Sequence, residues 1–295
     1  MENLQQTETF EVLQKHEKRG VKFIRTTNMM NLREKRNKIF SNFKQGNIMN
    51  CGFNTAVATM SQRPEFLRKI APGISYNNDG IYFHFNMFSQ GKQVPVAVDD
   101  ALPFDENNSL VYASSVERDS LLLSSFFEKA FVKLACWKSY QYSIATRPVF
   151  VFSCFSDSPV SYRIWKKEEA KQNLTDDLKS EVENKSSVVL GVTPSLNVHP
   201  QRHGYGHAYA VMDYNHEYKA VKLYDPRCDP ESCVTHYRLQ TLLPYADPYK
   251  GELWVTMDQL EQRQVQMTCL HSKEMYSSDF HTIRNLEPTS FDKNR

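Results

Sequence analysis

The sequence predicts an α+β fold with a mainly helical first lobe and a second lobe built on an antiparallel β-sheet. Residues 120–137 carry a broad apolar face at helical spacing, which requires burial against another element. Further along, four short apolar segments are typical of strands joined by turns, at residues 187–192, 208–214, 220–224 and 252–256. The change from helical to strand patterning places the boundary between the lobes near residue 145.

The predicted domain organisation follows from these patterns and from the polarity of both ends. We expect an N-terminal arm at residues 1–40, a first lobe at 41–145, a second lobe at 146–271 and a C-terminal tail at 272–295. The 295 residues carry a net charge of +2, and 24% of them are charged. This balanced charge argues against a nucleic-acid-binding protein.

Six scattered cysteines without a CxxC pair, in a chain that opens on a polar segment, indicate reduced thiols. No apolar run in the sequence approaches the length of a membrane span. We therefore expect a cytoplasmic protein with neither a membrane nor a nucleic-acid partner.

One cysteine, Cys51, stands where a loop turns into a helix, in the stretch QGNIMNCGFNTAVATM at residues 45–60. Asn50 is of a type favoured at the N-cap, and apolar residues follow it at helical spacing. A thiol at a helix N-terminus has a lowered pKa because the helix dipole stabilises the thiolate. Cys51 is therefore a candidate nucleophile, and the alternative is a free cysteine buried in the core.

The rest of the first lobe predicts a short helix at residues 61–70 and a β-hairpin. Residues 81–88 and 93–99 are rich in β-forming residues and are joined by Ser-Gln-Gly-Lys, a turn sequence. Pro95 cannot donate a ladder hydrogen bond, so we expect the second strand of this hairpin at a sheet edge.

Two segments precede the predicted strands of the second lobe. Residues 148–155 (PVFVFSCF) form a continuous apolar run of strand length, which predicts a buried strand. Residues 166–185 are highly charged and have few apolar anchors, which predicts a helical or irregular surface insertion.

A cysteine nucleophile needs a histidine to hold its proton and a third group to orient the imidazole. His207 begins one strand of the predicted hairpin HAYAVMDYNHEYKAVKLYD, and Asp225 ends the other. With the turn centred on His216, His207 and Asp225 lie directly opposite each other, with Cβ atoms about 5 Å apart. The two residues are therefore a candidate imidazole–carboxylate pair.

The same histidine belongs to a second pattern, in which His199, His203 and His207 recur at H-x3-H-x3-H spacing. On a helix this spacing would align three metal ligands, but Pro200 and two glycines oppose a helix here. A zinc site built on a loop is the remaining alternative for these histidines. The sequence contains no Gly-rich phosphate loop and no GxSxG motif.

Together these segments resemble the protease core of the calpain family of papain-like cysteine proteases. The family's nucleophile segment QGxxGDCW is similar to residues 45–52 (QGNIMNCG), with the glutamine six residues before the cysteine in both. The family's histidine motif GHAYSV is nearly repeated at residues 206–211 (GHAYAV). Four further family motifs have counterparts in the same order, at residues 80–103, 124–133, 225–228 and 250–254.

The resemblance implies a papain-like fold with the active-site cleft between the two lobes, and a thiol protease that cleaves protein or peptide substrates. Cys51 would be the nucleophile and His207 the base. Asp225 would take the place of the asparagine that orients the histidine in the family. Gln45 would donate its side-chain amide to the oxyanion, together with the backbone N–H of the cysteine.

Several positions depart from the family's pattern. Gly206 and Gly52 would line the substrate cleft, but Gly52 replaces the tryptophan that follows the cysteine in the family. Arg227 replaces the tryptophan of the family's NPWG motif and could form an ion pair with the neighbouring Asp225. The Gly-Gly segment that binds substrate backbone in the family corresponds to residues 143–144, which are Ser-Ile.

The acidic positions of the family's calcium sites are also changed. Hard cations such as calcium need carboxylate and carbonyl oxygens. Three of the family's acidic positions correspond to Asn42, Leu121 and Lys250 in this sequence, while Glu252 is kept. We therefore predict no calcium at these sites and no other cofactor.

Three functions are compatible with these residues. The first is a cysteine endopeptidase acting through a thioester at Cys51, and retention of all four polar groups (Gln45, Cys51, His207 and Asp225) favours it. The second is a catalytically inactive calpain-like domain that acts as a binding or regulatory module, which the lost cleft residues indicate. The third is a papain-like transferase or amidase.

Overall fold

The computed structural model describes residues 20–26, 43–63, 69–70, 73–77, 80–115, 123–197, 205–228 and 242–271. Within these ranges the helices are α1 (Cys51–Ser61), α2 (Leu123–Leu134), α3 (Pro148–Phe155), α4 (Lys167–Glu183) and α5 (Met257–Glu261). The strands are β1 (Lys22–Arg25), β2 (Phe43–Lys44), β3 (Gly73–Asn77), β4 (Gly80–Ser89), β5 (Lys92–Asp99), β6 (Ala101–Phe104), β7 (Ser114–Ser115), β8 (Val160–Trp165), β9 (Ser187–Thr193), β10 (His207–Asn215), β11 (Ala220–Tyr224), β12 (Glu252–Thr256) and β13 (Gln264–Leu270). No helix among the described residues is both long and apolar enough to cross a bilayer.

Helices α1 and α2 pack on one aromatic core. The α1 residues from Gly52 to Met60 are all buried. On α2, Phe126, Phe127 and Phe131 are fully buried, as the predicted apolar face requires. The Phe53 ring of α1 lies 5.1 Å from the Phe131 ring, measured between centroids. The helix predicted within residues 120–137 and its buried face are confirmed.

The predicted hairpin is formed by β4 and β5, which pair from Ser89 opposite Lys92 down both strands. Its two turn residues have positive φ angles, 51° at Gln90 and 73° at Gly91, as the tight turns that match strand twist require. The strand order is β3-β4-β5, so Pro95 lies on an edge strand as predicted.

The second half of the chain forms a six-stranded antiparallel sheet in the order β12-β11-β10-β9-β13-β8. The four predicted strands are confirmed as β9, β10, β11 and β12. Sequence reasoning missed β8 and β13. In β13, the apolar Val265, Met267 and Cys269 alternate with polar residues in the sequence, and this period of two in QVQMTCL was a signal for a strand.

Alternate residues of this sheet contribute to two separate cores. Val189, Ala208 and Ala210 join the core that contains residues of α1, α2 and α3. Val188 and Leu190, on the opposite face of β9, join a second core with residues of α4 and α5. Both faces of the sheet are therefore covered, and one of them packs directly against α1.

The apolar run at residues 148–155 is helix α3, so the prediction of a buried strand is wrong. Pro148 occupies the first turn, where its fixed φ angle and missing N–H suit a helix start. Val151, Phe152 and Phe155 are fully buried, so the helix is apolar on most sides. A run this short and this uniformly apolar has no period that distinguishes helix from strand.

The charged segment at 166–185 contains α4, which is a helix but not a surface insertion. Its Ala170, Leu174 and Leu178 are fully buried and spaced four apart, so they form one stripe along the helix. This stripe packs in the second core with Trp165 and Leu260. The prediction was wrong because three apolar residues among many charges are enough to hold a helix against a sheet.

Part of the predicted N-terminal arm is a strand. β1 pairs antiparallel with β6, and the Thr26 hydroxyl and backbone N–H both donate to the carbonyl oxygen of Asp100, at 2.9 and 3.0 Å. The remainder of the predicted arm, the predicted tail at 272–295 and residues 64–68 of the predicted helix at 61–70 lie outside the described residues.

Candidate active site

The start of α1 is anchored by a buried asparagine. Asn50 stands at the N-cap position, but its side chain makes no capping hydrogen bond. Its amide instead donates to Glu128 of α2, and its Oδ1 accepts from Asn54 at 2.8 Å. Glu128 is fully buried and also accepts from the backbone N–H of Ala113 at 2.8 Å. These contacts fix the position of Cys51, the first residue of the helix.

His207 and Asp225 meet beside Cys51. The His207 Nε2 atom lies 2.8 Å from Asp225 Oδ1. An ionised carboxylate can only accept, so Nε2–H is the donor. The other ring nitrogen is then available to the Cys51 thiol, with which His207 also hydrogen-bonds. The structure therefore brings together the three residues that the sequence singled out for a thiol, a base and an orienting group.

The pKa values of this group shift in complementary directions. Burial raises the pKa of the Cys51 thiol, but the hydrogen bond and the charge of His207 outweigh it, so the pKa lies below its ordinary value of 9.0. Burial lowers the pKa of His207, but hydrogen bonds to Asp225 and Cys51 outweigh it and raise the pKa above 6.5. Both shifts favour a thiolate–imidazolium pair.

The predicted hairpin register is corrected by the structure. Ala210 lies opposite Tyr224 and Val211 opposite Leu223, so His207 and Asp225 are not cross-strand partners. A register shift occurs after Val211, and the hairpin ends at Asn215 opposite Ala220 rather than being centred on His216. The two side chains still meet because His207 begins β10 and Asp225 directly follows β11. The predicted pair is in contact although its predicted register was wrong by two residues or more.

Asp225 also binds Arg227. The guanidinium Nη2 lies 2.7 Å from Oδ2, and Nε lies 3.2 Å from both carboxylate oxygens. Burial raises the pKa of Asp225, but His207 and Arg227 outweigh it and lower the pKa to about 2. The ion pair suggested by the sequence therefore forms without displacing His207.

The Gln45 side chain lies in a position defined by two segments. Its Nε2 donates to the carbonyl oxygen of Ile48 at 2.7 Å, and its backbone N–H donates to the carbonyl oxygen of Pro226 at 2.7 Å. The Oε1 atom is buried and has no hydrogen-bond partner among the described residues. One N–H of the side-chain amide is thus used within the loop, and the second is not involved in that bond.

The two glycines predicted to line the cleft have different surroundings. Gly206 is exposed and directly precedes His207, and a Cβ there would lie 2.6 Å from Thr193 Oγ1. Gly52 is buried, and a Cβ there would lie 2.0 Å from the carbonyl oxygen of Thr146. Gly52 therefore packs against the chain near residue 146 and does not line an open cleft, which corrects that prediction.

The remaining described cysteines differ from Cys51. Burial raises the pKa of Cys154 to about 12 and that of Cys228 to about 11, and it raises the pKa of Cys269 as well. All five cysteines in the described ranges, including the exposed Cys136, are free thiols. Cys51 differs from these three buried thiols because its pKa is lowered, which identifies it as the reactive candidate.

Two of the three histidines of the zinc alternative at H-x3-H-x3-H, His199 and His203, lie outside the described residues. His207 is already bonded to Asp225 and Cys51. Among the described residues, no group of three or more His, Cys, Asp or Glu side chains is placed to hold a metal ion.

Comparison with known proteins is consistent with this geometry. A sequence model described as calpain family cysteine protease matches residues 4–231. The chain belongs to the calpain family. Its helices and antiparallel sheets therefore form the predicted α+β papain-like fold.

Relatives in the family are similar to this chain at modest identity. Calpain-A of Drosophila melanogaster is 30% identical over 176 residues, which cover 57% of this chain and 20% of that protein. Calpain-12 of Homo sapiens is 33% identical over 93 residues, 30% of this chain and 12% of that protein. Calpain-5 of Mus musculus is 34% identical over 105 residues, 32% of this chain and 16% of that protein. The chain spans about a fifth or less of the length of these calpains.

Sequence reasoning missed the residues that support the site. Glu128, which holds Asn50, lies within the apolar face of α2, and a charged residue at such a position was the available signal. Tyr224 donates its hydroxyl to the carbonyl oxygen of Phe43 at 2.6 Å and so joins the end of β11 to the segment before Gln45. Nothing in the sequence pattern indicated that contact.

Proposed function

We propose that this calpain-family chain is a cysteine endopeptidase with Cys51 as its nucleophile. The observation that carries the proposal is the contact of Cys51, His207 and Asp225, in which the thiol pKa is lowered and the imidazole pKa is raised. A pair of this kind is nucleophilic near neutral pH without further activation.

The Cys51 thiolate attacks the carbonyl carbon of a substrate peptide bond and forms a tetrahedral oxyanion. The backbone N–H of Cys51 has no intrahelical acceptor at the first position of α1, so it can donate to this oxyanion. The second N–H of Gln45 is the other donor. Collapse of the intermediate breaks the carbon–nitrogen bond, and the His207 imidazolium gives its proton to the leaving amine.

The product of this half-reaction is a thioester between the acyl group and Cys51. His207, now neutral, takes a proton from water as the water attacks the thioester carbonyl. The carboxylic acid product leaves, and the thiolate and imidazolium are restored. Throughout the cycle Asp225 accepts from Nε2–H and keeps the other ring nitrogen directed at the reacting atoms.

A labelling experiment tests this proposal. An epoxide or vinyl-sulfone probe should modify Cys51 stoichiometrically, and Cys51→Ala should remove the labelling together with peptide hydrolysis. Cys136→Ala, which removes the exposed cysteine, is the matched control and should keep both. Labelling that is absent, or that persists in Cys51→Ala, contradicts the proposal.

We propose that activity does not require calcium at the family's sites. The carboxylate kept at Glu252 is occupied by protein donors: Lys222 Nζ lies 2.9 Å away and the backbone N–H of Asp247 lies 3.1 Å away. A fixed ammonium at a carboxylate opposes binding of a divalent cation there, so the residues do not fit a calcium site. Peptide hydrolysis should be unchanged by a calcium chelator, and strong activation by added calcium would contradict this view.

The alternative is an inactive calpain-like module. The observation in its favour is that one N–H of the Gln45 amide already donates to the carbonyl oxygen of Ile48. Peptide hydrolysis that disappears in Cys51→Ser would exclude this alternative. A transferase would instead pass the acyl group to an amine, and product analysis would distinguish this acyl transfer from hydrolysis. The five cysteines in the described ranges are free, which also favours a reducing compartment such as the cytoplasm. We propose protein or peptide substrates there, as for a protease.

A further inference from the structure

We infer that Asp225 and Arg227 act as one neutral unit, in which Arg227 is a positioning residue that offsets the carboxylate's charge and fixes its orientation toward His207. The inference rests on the proposed protease function and specifies what fixes the charge and orientation of the Asp225 carboxylate that accepts from His207. It concerns two residues in which this chain differs from the family's asparagine and tryptophan.

The first support is the number of donors that hold the carboxylate. Arg227 contributes its backbone N–H at 2.9 Å from Oδ1, its Nη2 at 2.7 Å from Oδ2, and its Nε at 3.2 Å from both oxygens. A planar guanidinium bound to both oxygens leaves the carboxylate little freedom to rotate. The bond from His207 Nε2 to Oδ1, at 2.8 Å, therefore has a fixed direction.

The second support is burial. The Asp225 side chain is 1% exposed and the Arg227 side chain is 31% exposed. Burying a carboxylate without a cation raises the free energy of the folded state, whereas a paired and hydrogen-bonded carboxylate is tolerated. Arg227 thus supplies its charge from the solvent side, while the inner oxygen of the acid faces the imidazole.

The third support is the balance of charges around the histidine. Among the described residues, the titratable groups that face this pair are Cys51 from α1, His207 and Tyr209 from β10, and Cys228 next to Arg227, with the Tyr209 ring 4.8 Å from the His207 ring. An uncompensated carboxylate would add a full negative charge next to the imidazole. With Arg227 bound, the net charge of the unit is zero, as it is for an asparagine.

The inference predicts opposite effects from removing either charge. Arg227→Gln removes a positive charge near the Cys51 thiol and the His207 ring, so both groups hold their protons more tightly. The pH at which Cys51 ionises, which is the acid limb of its alkylation profile, should therefore rise by about one unit. Asp225→Asn removes a negative charge, so the same limb moves down by about one unit. The double variant Asp225→Asn/Arg227→Gln should return to within about 0.3 units of the natural chain.

The experiment is the pH dependence of iodoacetamide alkylation at Cys51 in the full chain, resolved from the other cysteines by peptide mass spectrometry. Arg227→Lys keeps the charge and should keep the acid limb in place. Arg163→Gln is the matched control: Arg163 forms an ion pair with Asp177 at 2.8 Å on the surface, and its removal should leave Cys51 unchanged.

Opposite shifts that cancel in the double variant support the inference. Shifts of the same sign, or a double variant whose change equals the larger single change, would overturn it and leave Arg227 with only a structural role. Alkylation needs no substrate, so a chain that shows the cancellation but cleaves no peptide would refute the proposed protease function and not this pairing. If Arg227→Gln does not fold, Arg227→Lys and the double variant still decide between these outcomes.

Discussion

Two ion pairs of the described residues, Lys129–Asp99 and Arg227–Asp225, each contain a buried side chain, and they differ in what else they contact. In the first half of the chain, Lys129 Nζ donates to Asp99 Oδ1 at 2.7 Å, to the Asp99 carbonyl at 3.1 Å and to the Ala101 carbonyl at 2.5 Å. All three donors of this ammonium are used, and its side chain is 3% exposed. At the candidate site, both oxygens of Asp225 accept from Arg227, and Oδ1 also accepts from the titratable His207.

The difference separates an ion pair that holds the fold from one that sets a reactive group. The Lys129 pair is complete in itself and contacts only backbone beyond its own partner. In the Asp225 pair, Oδ1 also accepts a hydrogen bond from the His207 imidazole, and that imidazole contacts the Cys51 thiol. Breaking the Lys129–Asp99 pair should therefore mainly lower the stability of the fold, whereas breaking the Asp225–Arg227 pair should mainly lower the reactivity of the site.

The largest effect on folding is expected at Lys129. Lys129→Met removes the ammonium that the Asp99 carboxylate shares with two carbonyl groups and leaves that carboxylate only the Ala101 N–H, so the free energy of unfolding should fall by about 3–5 kcal/mol. Lys133→Met is the control, because the Lys133 ammonium donates to the Ala97 carbonyl alone, at 2.8 Å, and should cost about 1 kcal/mol. Urea unfolding measures the free energy of unfolding of both variants. Equal losses in Lys129→Met and Lys133→Met would contradict the structural role given to the Lys129–Asp99 pair.

Asp225→Ala should act mainly on the reaction. His207 loses the acceptor that orients it, so kcat/KM for a peptide substrate should fall by about 10²-fold. The free energy of unfolding should fall by no more than about 2 kcal/mol, because Arg227 is partly exposed and can be solvated. A stability loss as large as that of Lys129→Met, with activity retained, would contradict this assignment.

The pH dependence of stability should show the Asp225 pair directly. Its pKa is about 2 in the folded chain against 3.8 for an unperturbed aspartate, so the folded state binds the proton less readily. The stabilisation is therefore complete above about pH 4 and is lost as the pH falls toward 2, a change of roughly 2 kcal/mol. Unfolding measured from pH 5 downward should be less pH-dependent in Asp225→Asn than in the natural chain. If the free energy of unfolding depends on pH in the same way in both chains, the Asp225 pairing does not contribute to the pH dependence of stability.

Some elements could be predicted from local pattern, and others could not. The short apolar segments of β9 to β12, which are bounded by polar turns, and the one-sided apolar face of α2 gave correct predictions. The strand predicted for residues 148–155 was wrong because the eight residues of helix α3 are apolar on nearly all sides. The surface position predicted for α4 was wrong because its three buried apolar residues are a minority among charges.

The reactive residues were easier to identify than their support. Cys51, His207 and Asp225 were found from a helix start and a hairpin, although the bulge after Val211 made the predicted register wrong. The contact between Gly52 and Thr146 depends on the path of a distant loop, which local patterning does not determine. The same holds for Asn50 and Glu128, which are 78 residues apart.

The most direct measurement is the pH dependence of Cys51 alkylation in the natural chain and in His207→Ala. The thiol of the natural chain should ionise below 9.0, because His207 outweighs burial. In His207→Ala the hydrogen bond and the charge of the imidazole are lost while burial remains, so Cys51 should ionise at a higher pH than in the natural chain. A Cys51 that ionises at the same pH in both chains would contradict the thiolate–imidazolium pair on which the proposed function depends.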